Sequence, residues 1–242
     1  MKYRAIFLSD VHLGIKYSRV DELLKFLKEN ECDTLYLVGD IIDGWALRRK
    51  WCWDANSNLL IQKILRKARH GTRIVYITGN HDEFLRFFDR PMAFGNIEIT
   101  EHTIHTTAKG VKYLVIHGDK FDGFLNKMDW ISHVGSFLYD GILWLSDKVS
   151  YMRRKMGKEY WSLAHEVKLK TKQAVKFMTS FENFLAKEAK RHEVAGVVCG
   201  HIHHACHKTM DGVDYYNCGS WLEHCTAVVE HEDGRMEVLR IA

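Results

Sequence analysis

Five short apolar runs in this chain each end in residues that offer oxygen or imidazole groups. The endings are Asp10-Val11-His12, Gly39-Asp40, Gly79-Asn80-His81-Asp82, His117-Gly118-Asp119 and Gly200-His201-Ile202-His203. A fold that gathers these ends gathers Asp10, His12, Asp40, Asn80, His117, His201 and His203 as metal ligands. Two adjacent cations need about that many, and two-metal sites suit the hydrolysis of phosphoryl groups.

The order of elements says how the ends can meet. Residues 3–9, 34–38 and 73–78 read as buried strands. Between them, Val20, Leu23, Leu24 and Leu27, then Leu59, Leu60, Ile64 and Leu65, recur at helical spacing, the second helix ending near His70-Gly71. A β-α-β-α-β order implies parallel strands with right-handed crossovers. Ligands of such sheets gather beyond the carboxyl ends of the strands, where the Asp10, Asp40 and Asn80 pieces fall. Further strands are predicted at 97–100, 102–106 and 111–117, and again at 194–199, 206–210, 214–218, 225–231 and 236–241. The turns Asp211-Gly212 and Asp233-Gly234 suit antiparallel hairpins. Residues 121–191 between these groups carry helical patterns only. The expected architecture is therefore an α/β sandwich of two sheets, one domain over 1–242, with a helical insertion at 121–191.

Composition limits the function classes. The hydrophobic share of 46% is ample for a core, and the formal charge of +4 implies no global nucleic-acid field. The basic residues that stand out are confined to the helical block, so no nucleic-acid partner is expected. No run of eighteen apolar residues is present, so a spanning helix is not expected. The first strand runs straight into Asp10, unlike a signal peptide, and the six unevenly spaced cysteines read as reduced thiols, which suits the cytosol.

Asp10 and His12 are alternate residues, so at a strand end both can turn to one side. Asp40 follows a glycine and can bridge two cations through its two oxygens. Nitrogen and oxygen ligands without sulfur suit manganese, iron or zinc better than calcium or magnesium. Asp82 is open to another reading, as the cap of a helix starting near Glu83. Cys199, His201, His203, Cys206 and His207 offer a rival zinc cluster, but Cys199 lies within a strand pattern and no Cys-x-x-Cys pair exists.

The ordered set Asp-x-His, Gly-Asp-x-x-Asp, Gly-Asn-His-Asp, His-Gly-Asp and Gly-His-x-His resembles the calcineurin-like metallophosphoesterase superfamily. The resemblance implies one metal held by Asp10, His12, Asp40 and His203. It implies a second held by Asp40, Asn80, His117 and His201, with water between the metals attacking phosphorus in line. It makes His81 the group that stabilises the pentavalent state or protonates the leaving oxygen, and Asp43 the carboxylate that orients His81. A non-catalytic scaffold of the same fold would lack some of these residues, and none is missing here.

The insertion carries the clue to substrate. Phe121, Phe124, Leu125, Met128 and Trp130 open an apolar stretch, and Arg153, Arg154, Lys155, Lys168 and Lys172 belong to a basic one. Two readings stand: an ordinary amphipathic hairpin, or a lid with an apolar chamber and a cationic rim that can also rest on an anionic membrane. A helical insertion directly after His-Gly-Asp is similar to the UDP-2,3-diacylglucosamine hydrolases of lipid A synthesis, specifically a divergent group with histidine at position 81. That resemblance implies manganese-dependent cleavage of UDP-2,3-diacylglucosamine to UMP and 2,3-diacylglucosamine 1-phosphate. The enzyme would sit peripherally on the cytoplasmic face of the inner membrane, with Asp119, Lys168 and Lys172 contacting substrate. A phosphodiesterase or phosphatase of another substrate is the alternative. Trp45 and Trp221 are candidates to stack on a base or sugar, or to pack in the core.

Overall fold

The computed structural model describes residues 1–87, 92–94, 96–121 and 172–241. Strands β1 (Lys2–Leu8), β2 (Glu31–Val38) and β3 (Arg73–Ile77) lie side by side in parallel. Helices α1 (Val20–Glu29), α2 (Gly44–Arg49) and α3 (Ala55–Arg69) fall between them in sequence. A short 3-10 helix follows at Glu83–Phe87, then β4 (Met92–Phe94), β5 (Ile97–Thr100), β6 (His102–Thr106) and β7 (Lys112–Ile116). Helix α4 (Lys172–Arg191) leads to β8 (Gly196–Cys199), β9 (Cys206–Met210), β10 (Val213–Asn217), β11 (Thr226–Glu230) and β12 (Met236–Arg240).

The strands form two sheets, one ordered β12-β11-β1-β2-β3-β5-β4 and one ordered β6-β7-β8-β10-β9. The expected closing hairpins, β9–β10 and β11–β12, are antiparallel. Asp211 and Gly212 both take positive φ, the backbone that a two-residue turn of this twist requires. The end of the chain is not wholly antiparallel, however. β10 pairs in parallel with β8, and β11 crosses to the other sheet to pair with β1. The last strands therefore serve both sheets instead of closing one.

Alternation along β1 explains the uninterrupted apolar run. Ile6 and Leu8 face a layer completed by Leu23 and Leu27 of α1 and by Leu60 and Ile64 of α3. Ala5 and Phe7 face the other way, into a layer shared with Val115 of β7, Val198 of β8 and Tyr216 of β10. A strand buried on both faces needs apolar residues at every position. The two central pairs end level, with Leu8 opposite Leu37 and Val38 opposite Ile77. Their carboxyl ends therefore form one rim.

The chain divides into two compact units, Met1–Gly118 with Asn183–Ala242, and Asp119–Glu182. In the second unit Phe121 meets Phe177 and Phe181 at ring separations of 5.6 and 5.5 Å. The expected insertion at 121–191 is helical over Lys172–Arg191, and its residues 122–171 lie outside those described. Among the described residues no helix is long and apolar enough to cross a membrane.

Candidate metal centre

Each of the five endings follows a strand carboxyl end: Asp10 after β1, Asp40 after β2, Asn80 after β3, His117 after β7 and His201 after β8. Backbone bonds join the loops. Asp10 N donates to Gly39 O at 3.1 Å, His12 N to Asp40 O at 2.9 Å, and Gly200 N to His117 O at 3.2 Å. The side chains then converge because of local backbone shape. Asp10, His12, Asp40, His201 and His203 all have φ between +51° and +71°. This corrects the strand-alternation argument for Asp10 and His12, since β1 has ended at Leu8 and the left-handed turn re-aims both. Non-glycine residues held there cost about 1–3 kcal/mol each, and surrounding structure must hold them.

The motif glycines are needed for contact. A Cβ on Gly79 would sit 2.2 Å from Asp40 Oδ1, and one on Gly200 would sit 2.5 Å from Asp10 Oδ2. A side chain at either position would displace a candidate ligand.

Two clusters result. In the first, His203 Nε2 lies 3.0 Å and His12 Nε2 3.8 Å from Asp10 Oδ1. In the second, His117 Nε2 lies 3.3 Å from Asp40 Oδ2, and ligand atoms of Asp40, His117 and His201 all fall within 4.8 Å of one another. His12 Nε2 is also 3.8 Å from Asp40 Oδ2, so Asp40 belongs to both. Asn80 joins through its loop, since His81 N donates to Asp40 Oδ1 at 2.9 Å.

These residues fit metal ions on their own evidence. Asp10 Oδ1, His12 Nε2 and Asn80 Oδ1 are buried and make no hydrogen bond. Buried polar atoms are rarely left so. The imidazoles are also oriented as ligands. His117 Nδ1 contacts Val38 O at 2.9 Å and His12 Nδ1 contacts Asp43 Oδ2 at 3.0 Å, an arrangement in which each Nε2, once it gives up any proton, presents a lone pair to a cation.

Electrostatics agree. Burial alone would raise the Asp10 carboxyl, but His203, His12 and His117 overcome it and hold Asp10 well below the usual range. Burial would likewise raise Asp40, and His117, His12 and His81 hold it down. Burial would lower the His12 imidazole, but Asp10, Asp43 and Asp40 push it up to about 10. The centre is a place where negative charge is gathered and positive charge is drawn in.

Beside it, Asp43 holds two histidines and a helix. Its Oδ1 lies 3.0 Å from His81 Nδ1 and accepts from Ala46 N at 2.7 Å, capping α2, while its Oδ2 meets His12. Sequence reasoning assigned it only to His81. Trp45, on the first turn of α2, leans over the His81 ring at 4.2 Å.

Other expectations change. Asp82 is more than a helix cap. Its fully buried carboxylate accepts from Ile41 N at 3.0 Å, from Tyr76 Oη at 2.7 Å and from Gly79 N, bracing the Asp40 and Asn80 loops. Burial first, then the Asp40 charge, pushes its carboxyl up to about 6. Trp221 is fully buried beside Phe26, so its ring belongs to the core. All six cysteines are free thiols, and Cys199 accepts from Asn217 Nδ2 at 3.3 Å within the core, so the rival zinc cluster does not form around it. Ser9, which donates to Asp10 Oδ2 and contacts Val38 O at 2.6 Å, carried no sequence signal. Nor did fully buried Glu223, whose Oε1 lies 4.0 Å from His203 Nδ1. Of the substrate candidates, Asp119 is half-buried and opens the second unit. Lys172 starts α4, and Lys168 lies outside the described residues.

The family model described as calcineurin-like phosphoesterase matches residues 3–205. The chain belongs to that family. Its ligand clusters suit the divalent metals typical of that family. It is 28% identical over 172 residues to the DNA polymerase II small subunit of Methanothermobacter thermautotrophicus, a match that covers 57% of this chain. The chain spans about a third of the length of that relative, 35%. Among solved structures, a hypothetical protein of Pyrococcus horikoshii OT3 superposes with a TM-score of 0.54 at 10% identity, covering 100% of this chain and 88% of that one. A novel archaeal phosphodiesterase gives a TM-score of 0.43 at 13% identity, covering 98% of each chain. The first of these structures supports the fold alone.

Proposed function

We propose that this calcineurin-like phosphoesterase is a dinuclear-metal hydrolase that cleaves the pyrophosphate of an acylated UDP-sugar, UDP-2,3-diacylglucosamine, to UMP and 2,3-diacylglucosamine 1-phosphate. Asp10, His12, Asp40 and His203 would hold one cation, and Asp40, Asn80, His117 and His201 the other. Manganese is the first choice, with iron or zinc next. When bound, the two cations supply charge for the phosphoryl oxygens and an acidified water.

The chain's own residues do the rest. Asp43 Oδ1 lies 3.0 Å from His81 Nδ1 and would orient the ring so that Nε2 faces the leaving oxygen as proton donor. Asp43 also fixes the His12 ring, so one carboxylate aligns a ligand and the proton donor. Trp45, 4.2 Å from the His81 ring, limits its swing. Asp82 and Ser9 hold the loops and add no group to the reaction.

The observation that carries the choice of substrate is positional. A separate compact unit, Asp119–Glu182, begins directly after the His117 loop, which is where the similar lipid A hydrolases carry their lid. A phosphodiesterase acting on another nucleotide-linked substrate is the second reading, favoured by the likeness to a polymerase small subunit.

The test is UMP release from UDP-2,3-diacylglucosamine by manganese-loaded protein. Release is expected for the wild type and should be lost on deletion of 122–171, while a soluble diester is still cleaved. Turnover of soluble diesters with no UMP at high enzyme concentration would remove the acylated substrate. The His81→Ala variant should keep its metal content while turnover falls roughly 10²–10⁴-fold.

A further inference from the structure

Beyond the cleft, the chain exposes a compact run of tryptophans and cations. Helix α2 ends in Arg48 and Arg49, and the loop to α3 continues Lys50-Trp51-Cys52-Trp53. Trp51 is 73% exposed, and Leu59, on the first turns of α3, is 50% exposed. Arg48, Arg49 and Lys50 are exposed, and no carboxylate among the described residues pairs with them. Lys63 and Arg66 follow Leu59 at four and seven residues, on the same face of α3.

The loop is anchored on one side and open on the other. Trp53 donates from Nε1 to Asn58 Oδ1 at 2.8 Å, and its ring packs on the core. Its ring centre is 6.2 Å from that of Trp51. Trp51 has neither an indole hydrogen bond nor core packing among the described residues. Scattered exposed apolar residues need no explanation, but this is a cluster framed by unpaired cations.

An anionic bilayer surface has the complementary chemistry. Indole settles at the headgroup level, with an apolar body and a polar edge. Adjacent Arg and Lys side chains meet acidic headgroups. Single-stranded nucleic acid also takes aromatic and cationic residues, but it needs successive open ring faces. Here Trp53 is partly buried against the core with its N–H occupied, so Trp51 is the open indole of this loop and no run of successive ring faces is offered to bases. We infer that the Arg48–Trp53 loop, with Leu59, is an interfacial docking surface for anionic lipid. Helix α2 spans about 9 Å, and Asp43 at its start holds His81, so docking here brings the rim of the metal centre close to the bilayer.

This inference requires no particular substrate. The test is co-sedimentation of the metal-loaded full chain with vesicles of phosphatidylglycerol and phosphatidylcholine, against phosphatidylcholine alone. Binding is expected only to the anionic vesicles, with release by high salt. Trp51→Ala should weaken it about tenfold or more, and Arg48→Glu with Arg49→Glu and Lys50→Glu should abolish it. Both variants should retain soluble-diester turnover. If the triple variant is unstable, Trp51→Ala and the salt release still decide the matter. Wild type that stays in the supernatant, or Trp51→Ala that binds as wild type, overturns the inference. So does an oligothymidylate that binds more tightly than the vesicles and loses its binding in Trp51→Ala. Vesicle binding without UMP release leaves the docking surface standing and removes only the proposed substrate.

Discussion

Two buried polar clusters in the same sandwich are built on opposite logic. At the rim of the strands, Asp10 Oδ1, His12 Nε2 and Asn80 Oδ1 are buried and bonded to nothing. In the interior, Tyr36 Oη meets His105 Nδ1 at 3.1 Å, and His105 Nε2 meets Glu230 Oε2 at 2.8 Å. Glu230 Oε1 accepts from Ala108 N at 2.7 Å and lies 3.3 Å from Arg4 Nε. Apart from Arg4 Nε, which has an ion-pair partner but no hydrogen bond, the interior cluster is closed on itself and fastens β1, β2, β6 and β11 together. The rim cluster is open at those three atoms, which point into one place and make no hydrogen bond. Histidines and carboxylates at equal burial therefore mean different things: a closed network serves the fold, an open one serves a ligand.

The sharpest break of that comparison is Asp40→Asn. The amide keeps an acceptor for His81 N but loses the charge shared by both clusters. Metal content should fall from two ions to at most one, and kcat/KM for a soluble diester should drop by more than about 10³-fold. A variant that unfolds while retaining two metals would reverse the distinction.

The converse change is Glu230→Ala. It leaves His105 Nε2 and Ala108 N without their buried acceptor and Arg4 without its ion-pair partner. The cost should be about 2–4 kcal/mol, read as a lower urea midpoint at unchanged m-value. Metal content and turnover of the folded fraction should be unaltered. Loss of metal from a variant that remains folded would mean that the interior cluster also serves the centre.

The same contrast explains what could be read from sequence. The five endings were legible because parallel strands buried on both faces leave long apolar runs, and polar residues at their ends stand out. The reason for their convergence was not. Spacing suggested strand alternation for Asp10 and His12, whereas positive φ at both, invisible in the sequence, aims them. Helix α2 was missed because six residues with a tryptophan and two arginines carry no clear period, and its cap is the side chain of Asp43. The interior cluster was silent too. Tyr36, His105 and Glu230 come from three strands, and only pairing brings them together. Trp221 shows the reverse hazard: a tryptophan in a motif-rich turn that proves to be core.

The smallest effect is the most direct test of closure. Burial, only partly offset by Glu230, lowers the His105 imidazole below its ordinary value of 6.5. The unfolded chain therefore binds more protons than the native one as pH falls below about 6.5. Stability then rises with pH through that window and is lost on acidification toward the depressed native value. The slope has a ceiling of about 1.4 kcal/mol per pH unit. The histidines of the rim titrate as well, so the informative quantity is a difference. In urea unfolding at pH 7.5 and 5.5, metal-free wild type should lose more stability than His105→Gln, whose amide can still bond Tyr36 and Glu230 but does not titrate. Equal losses would mean that folding leaves the His105 imidazole unshifted, and a smaller loss than in His105→Gln would mean that it carries a proton in the native state. The Tyr36–His105–Glu230 chain would then be an ion pair, and its closure would owe more to charge than to hydrogen bonding.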